Sequence, residues 1–299
     1  MKRRQLLKND LIFKKIFGRK ENFWILQAFI YDLCGILIKD ISYLDPTKIF
    51  SMRHSGQKNK LTDAQISTLR TRIVDILAEI DGQTMLTLEM QVRKTEYFLE
   101  RIVLYIADVY GYNYNNKEKM KDPNNKFSSL EPVIQVSILD YNEFPDDKAI
   151  HQFSLQDEEN GNPYLIKIFV LELRKLLINV SDPIRKKHLK FWIKLFNGEE
   201  IGPDAPDYIQ AASKLTNYYN LTREEQIEVD AIEIAMEERE AELSYAERYG
   251  EAKGMEKGEE KGEVRAKEQI ARNLLAQGVD LKVISSATNL SVEEIERLK

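Results

Sequence analysis

Two apolar stripes, each with the two-residue period of a β-strand, flank Asp81-Gly82 and constrain this chain more than any other stretch. Val74, Ile76, Ala78 and Ile80 form the first, within residues 72–80; Leu86, Leu88, Met90 and Val92 form the second, within residues 84–92. Asp-Gly between alternating runs is a hairpin signal. A loop of those two residues alone would pair Ile80 with Gln83 and throw the stripes onto opposite faces, which a half-buried hairpin does not tolerate. A three-residue loop, Asp81-Gly82-Gln83, with Gly82 or its neighbour at positive φ, pairs Val74 with Met90 and Ile76 with Leu88. Both stripes then share one face, and Asp75 lies opposite Glu89. Opposed carboxylates repel unless a cation sits between them or one holds a proton. Oxygen ligands with open water positions suit Mg²⁺ or Mn²⁺, ions that activate water and neutralise charge developing on a phosphate. Gln91 shares the carboxylate face. The plain alternative is that Asp75 and Glu89 are solvated residues on an outer sheet face, since strands with one polar face are common.

Asp75, the apolar strand, Leu88-Glu89-Met90-Gln91, and then Phe98-x-x-Arg101-x-x-x-Tyr105 on a helix together resemble the recombination-promoting nuclease and transposase family of the PD-(D/E)XK nuclease superfamily. The opening Asp10-Leu11-Ile12-Phe13-Lys14-Lys15-Ile16-Phe17-Gly18 resembles the family's first helix, and the Gly-patterned charged tail resembles its C-terminal ending. The resemblance implies an α/β fold with a mixed sheet flanked by helices and an α-helical C-terminal appendage. It also implies metal-dependent cleavage of DNA phosphodiesters, with Asp75 and Glu89 holding the metal and Asp10 approaching it. One position departs from the superfamily pattern, which has Lys two residues after the Glu where this chain has Gln91. An amide orients a water but carries no charge. Lys14, Arg93 and Arg101 are the cations at hand, and Arg101 is equally suited to binding a phosphate or pairing with a carboxylate.

The expected function is therefore a DNA endonuclease dependent on Mg²⁺ or Mn²⁺. Asp75 and Glu89 hold the ion, Gln91 orients the attacking water, and Asp10 and Arg101 complete the candidate catalytic set. The competing reading is a catalytically inactive DNA-binding or assembly protein that keeps the nuclease fold, motivated by the missing motif lysine and the acidic, Gly-patterned tail. Strand joining, which transposition adds to cleavage, has no signal in the chain.

Composition bounds these readings. The 299 residues can bury a substantial core. Cys34 is the sole cysteine, so a disulfide framework is excluded and a reducing cytoplasm expected. His54, His151 and His188 lie far apart in sequence, which gives an imidazole zinc site little support. The apolar stretch near Trp24 is broken by Gln27, Asp32 and Gly35, and neither a signal peptide nor a membrane span is expected. Residues 223–249 carry ten acids and three bases, while residues 1–222 are mildly basic, a weak footprint for nucleic acid. Arg53, Lys58, Lys60, Arg70 and Arg72 bracket a polar loop ahead of the first site strand, where they either reach phosphates or solubilise the loop.

Along the chain, Asn9 or Asp10 caps a helix that Gly18 closes. Residues 21–38 form a second helix, with Phe23, Trp24, Leu26, Ile30, Leu33 and Leu37 supplying core. Residues 41–44 suit a strand, 62–69 a short helix and 95–110 a helix packed on the sheet beside the site. Residues 113–125 suit a mobile loop, and 132–141, 150–156 and 164–173 are further strands. Asp182-Pro183 opens a helix through Phe196 whose Arg185–Lys190 cluster faces DNA or solvent. An acidic helix over 222–248 precedes Gly250, Gly254, Gly258 and Gly262; each glycine weakens a helix by about 1 kcal/mol relative to alanine, which leaves a hinge or a closely packed helix, and a polar linker is the favoured reading over self-association through the glycine stripe. Short helices follow around 266–276, 281–288 and 292–298, with Gly278 as a stop and Ser291 as a cap; the pattern loosely resembles a helix-turn-helix, and because the segment is electrically neutral a helical association or specificity tail is as good a reading as a DNA reader. The domains are thus a nuclease-like 1–222, an acidic helix and linker at 223–262, and a small helical tail at 263–299. A homodimer joined through the C-terminal helices would give each duplex strand its own site.

Overall fold

The computed structural model describes residues 6–47, 74–156 and 163–298. The expected short helix at 62–69 and the basic loop from Arg53 to Arg72 lie outside them. Among the described residues, β1 (Ile41–Leu44), β2 (Ile76–Ile80), β3 (Thr84–Gln91), β4 (Val133–Leu139), β5 (Ile150–Gln156) and β6 (Pro163–Glu172) form one mixed sheet in the order β1-β2-β3-β4-β6-β5. β3, β4 and β6 run parallel at its centre, and the outer pairings are antiparallel. Parallel neighbours need a crossover, and helix α3 (Phe98–Asn115) supplies it between β3 and β4.

The hairpin has the register that polarity demands. Ile76 pairs with Leu88 and Ile80 with Thr84, leaving Asp81-Gly82-Gln83 as the loop. Asp81 and Gly82 both adopt positive φ, 52° and 66°, and the Asp81 carboxylate accepts from the Lys39 and Asp40 amides at 2.8 and 2.9 Å. Two expectations fail here. β2 begins only at Ile76, so Val74 has no ladder partner in β3 and packs in the opposite layer from Ile76. The hairpin is also buried on both faces, because its parallel neighbours place helices on each side.

On one face, Ile76, Ala78, Leu86 and Leu88 meet α1 (Asp10–Phe17), α2 (Phe23–Cys34), α4 (Pro183–Phe196) and α5 (Asp207–Leu215). Phe17, Phe29 and Trp192 pack ring against ring, with Phe29 5.1 Å from each of the other two. On the other face, Leu77, Met85 and Val133 meet Phe98, Ile102, Ile106 and Val109 of α3. Asn9 caps α1 through the Leu11 amide, and Asp182 caps α4 through the Ile184 and Arg185 amides with Pro183 in the first turn.

α2 is shorter than periodicity predicts. Gly35, at φ 70°, ends it in the left-handed conformation that glycine adopts at little cost. Trp24 and Leu37, expected in the core, are 44% and 62% exposed. Asp32, by contrast, is buried and accepts from the Trp192 indole and the Tyr208 hydroxyl, each at 3.0 Å, with the His188 imidazole also 3.0 Å away. Arg185 turns inward as well, donating to the Asp32 and Leu33 carbonyls at the C-terminal end of α2. The helix end needs donors for its last carbonyls, which takes Arg185 out of the solvent-facing cluster.

Residues 113–125 hold more structure than a loop: α3 runs to Asn115, and a 3₁₀ turn at Lys117–Lys119 places Lys119 between Glu79 and Glu131. The expected linker is also helical. α6 runs unbroken from Arg223 to Ala276 through all four glycines. Its intervals of Glu, Lys, Ala and Arg are strong helix formers, and their summed propensity outweighs the glycine penalty.

The chain divides into two compact units, Met1–Asp230 and Ala231–Lys299. In the second, the end of α6 packs with α7 (Leu281–Thr288) and α8 (Val292–Glu296) around Ala271, Ile284 and Ile295. Gly278, at φ 75°, turns the chain out of α6, and Ser291 starts α8 with a reciprocal cap to Glu294. Among the described residues, no helix is long and apolar enough to cross a membrane.

Candidate active site

The last rung between β2 and β3 is Ile76 with Leu88, and the Asp75 side chain fills the next one. Its Oδ2 accepts from the Met90 amide at 2.8 Å. A carboxylate thus replaces a backbone carbonyl where the strand ends, which sets Asp75 at the sheet's own level. Glu89, one residue from the tie, is only 5% exposed. It lies beside Ser137 of β4 in the parallel ladder, and the Ser137 hydroxyl donates to Glu89 Oε1 at 2.7 Å. The Gln135 amide donates to the same oxygen at 3.3 Å and to Ser137 Oγ at 3.1 Å. The Thr87 hydroxyl in turn donates to Gln135 Oε1.

Gln91 continues this polar row. Its amide hydrogen-bonds to Glu89, and its Oε1 accepts from the Tyr141 hydroxyl at 2.9 Å. Arg101 approaches from α3, where its Nη1 donates to Thr95 Oγ1 at 2.7 Å and its positive charge acts on Glu89 and Tyr141. Its buried Nε has no hydrogen-bond partner among the described residues. Asp10 stands at the first turn of α1, paired with Lys14 at 2.8 Å, and the charges of both reach Asp75. Of the five sequence-predicted residues, Asp10 and Glu89 act on Asp75, and Gln91 and Arg101 act on Glu89, with Glu89 and Gln91 at the carboxyl end of β3, where open α/β sheets place their ligands.

Burial dominates the electrostatics. It pushes Asp75 up to about 7, with Asp10 and Glu89 adding repulsion and the Met90 amide and Lys14 opposing it. Burial also raises Glu89 against the hydrogen bonds from Ser137 and Gln91 and the charge of Arg101. Two neighbouring acids that resist ionisation suit a positive partner. Among the described residues no group of three or more His, Cys, Asp and Glu side chains gathers in a form that could hold a metal. A two-carboxylate site fits Mg²⁺, which keeps several waters and takes one or two carboxylates together with substrate phosphates, and does not fit a closed zinc cage.

Thr87, Gln135, Ser137 and Tyr141 were not singled out from sequence. The signal was present in β4, where Gln135 and Ser137 alternate with Ile134, Val136 and Ile138 in an otherwise apolar central strand.

Residues 7–249 match the family model described as PD-(D/E)XK nuclease family transposase. The chain belongs to that family. Residues 265–299 match the C-terminal HTH domain of the Rpn/YhgA-like nuclease family, over the same stretch in which the end of α6, α7 and α8 share a small core. No curated protein and no solved structure matches the chain. PD-(D/E)XK nucleases commonly use divalent metals. The mixed sheet with helices on both faces is the fold of this family, and the two family matches point to nuclease-like chemistry with DNA as the partner.

Proposed function

We propose that this PD-(D/E)XK family protein is a metal-dependent DNA endonuclease that hydrolyses phosphodiester bonds. The observation that carries the reading is the pair of carboxylates, half-buried Asp75 and buried Glu89, held in place by a backbone amide on one side and a side-chain row on the other. Asp75 and Glu89 would hold one Mg²⁺ or Mn²⁺. When bound, such an ion neutralises both acids and the scissile phosphate and makes a coordinated water easier to deprotonate.

The protein's own groups have separable tasks. The Met90 amide engages one Asp75 oxygen, Oδ2; Ser137 and Gln135 both engage Glu89 Oε1. Ligand atoms are thus fixed before substrate arrives, which lowers the reorganisation needed during reaction. Gln91 orients the attacking water, Arg101 brings positive charge toward the phosphate, and Asp10 adds a third carboxylate near Asp75. The helical tail, residues 263–299, would contact DNA, and pairing two chains through C-terminal helices would give each strand of a duplex its own site. Cleavage in the course of recombination or transposition is compatible with this assignment.

A second reading, a DNA-binding or assembly protein without activity, rests on Gln91 standing where the superfamily pattern has a lysine. Nicking of supercoiled plasmid in Mg²⁺ separates the two. Wild type should cut, whereas Asp75→Asn and Glu89→Gln proteins with unchanged circular dichroism should lose at least about 100-fold in rate, the scale seen when a preorganised charge-stabilising group is removed. Equal cutting by all three rejects the site, and DNA binding with no cutting by any supports the second reading.

A further inference from the structure

We infer that Tyr141 is a positioning residue that holds the Gln91 amide with its N–H edge toward Glu89, so that Gln91 serves the site as a hydrogen-bond donor. The inference rests on the nuclease reading for its catalytic meaning. A glutamine amide has two chemically different ends, and its neighbours decide which end faces where. Glu89 stands two residues back along β3, and on the other side the Tyr141 hydroxyl donates to Gln91 Oε1 at 2.9 Å. That donation takes up the amide oxygen and leaves the N–H edge for Glu89.

The backbone sets the spacing. Gln91 and Leu139 are the last partners of β3 and β4, and the next amide, that of Asp140, donates to the Gln91 carbonyl at 2.9 Å. Tyr141 follows at once, so the strand end that closes the ladder also delivers the hydroxyl. A lysine at position 91 has only N–H donors and would need no such arrangement, whereas a glutamine without Tyr141 could turn its oxygen toward the carboxylates and the water. Tyr141 thus supplies the directionality that the exchange of lysine for glutamine removes.

The test is a cycle of Tyr141→Phe, Gln91→Ala and the double variant in the full chain. In ¹⁵N-edited spectra recorded without divalent ions, the Gln91 side-chain amide pair, identified by its absence from Gln91→Ala, should move in Tyr141→Phe while the backbone amides of β3 and β4 keep their positions. In plasmid cleavage, Tyr141→Phe should lower kcat about 10-fold to 100-fold with KM unchanged, the scale of a small misplacement of a catalytic group, and should cost nothing further when Gln91 is already alanine. An unmoved Gln91 amide pair, or an equal loss in both backgrounds, overturns the inference. A wild type that does not cut overturns the nuclease reading instead, and the amide spectra then decide the orientation by themselves.

Discussion

Asp75 is the residue where local structure and chemistry meet, because its carboxylate completes a β-ladder and is desolvated in doing so. The consequence is a pH-dependent cost. An unfolded Asp releases its proton near 3.8, whereas folded Asp75 holds it to about 7 under the combined influence of burial, Asp10, Glu89 and Lys14. Between those values the folded state binds the extra proton, so stability falls as pH rises through the window and the loss is complete above it. Each unit of separation corresponds to about 1.4 kcal/mol. Urea unfolding at pH 5 and pH 8 without divalent ions should show a larger drop for wild type than for Asp75→Asn, whose amide oxygen can still accept from Met90. Identical drops would contradict the desolvated position assigned to Asp75. At this scale strand period and turn length were enough to give the rung Ile76 with Leu88, but not the place of Asp75, because the ladder ends there and Val74 turns to the opposite layer. The sequence was silent on how Asp75 is held, because a side chain that replaces a rung leaves no periodic trace. Tyr141 was equally hidden, since its partner comes from a neighbouring strand 50 positions away.

The elements divide into those with local punctuation and those governed by packing. Asp182-Pro183 marks the start of α4, and Gly278 and Ser291 mark the turns of the tail, because caps and positive φ values depend on a few adjacent residues. α2 was misjudged at both ends, since exposure of Trp24 and Leu37 depends on which helices arrive from residues 183–215. Asp32 shows the same limit: an acid inside an apolar helix looks like an interruption until α4 and α5 bring Trp192, His188 and Tyr208 to it. That cluster ties three helices of the first layer together. Replacing Asp32 by alanine leaves the Trp192 and Tyr208 donors without their buried acceptor, and should cost about 2–4 kcal/mol in chemical denaturation. A loss below about 0.5 kcal/mol would show that the cluster is solvated and contributes little. In α6 the helical alternative holds over the linker, because the Glu, Lys and Ala between the glycines favour a helix strongly enough to offset them.

For the molecule as a whole, the α/β sandwich follows from a mixed sheet whose central strands are parallel and need cover on both faces. The order of predicted helices and strands made that class legible, while the hairpin taken by itself suggested a polar outer face. α3 corrects this: as the crossover between β3 and β4 it covers the face bearing Thr87, Glu89, Gln135 and Ser137, turning a solvated row into a buried polar network. Burial in turn is what makes the acids resist ionisation and suit a divalent cation. The central claim is that Asp75 and Glu89 serve one ion, and a crystal of the full chain soaked in Mn²⁺ tests it most directly. The account predicts a single anomalous peak bridging the two carboxylates in wild type and no peak there in a crystal of Asp75→Asn; a peak elsewhere, or one that survives the substitution unchanged, would contradict it.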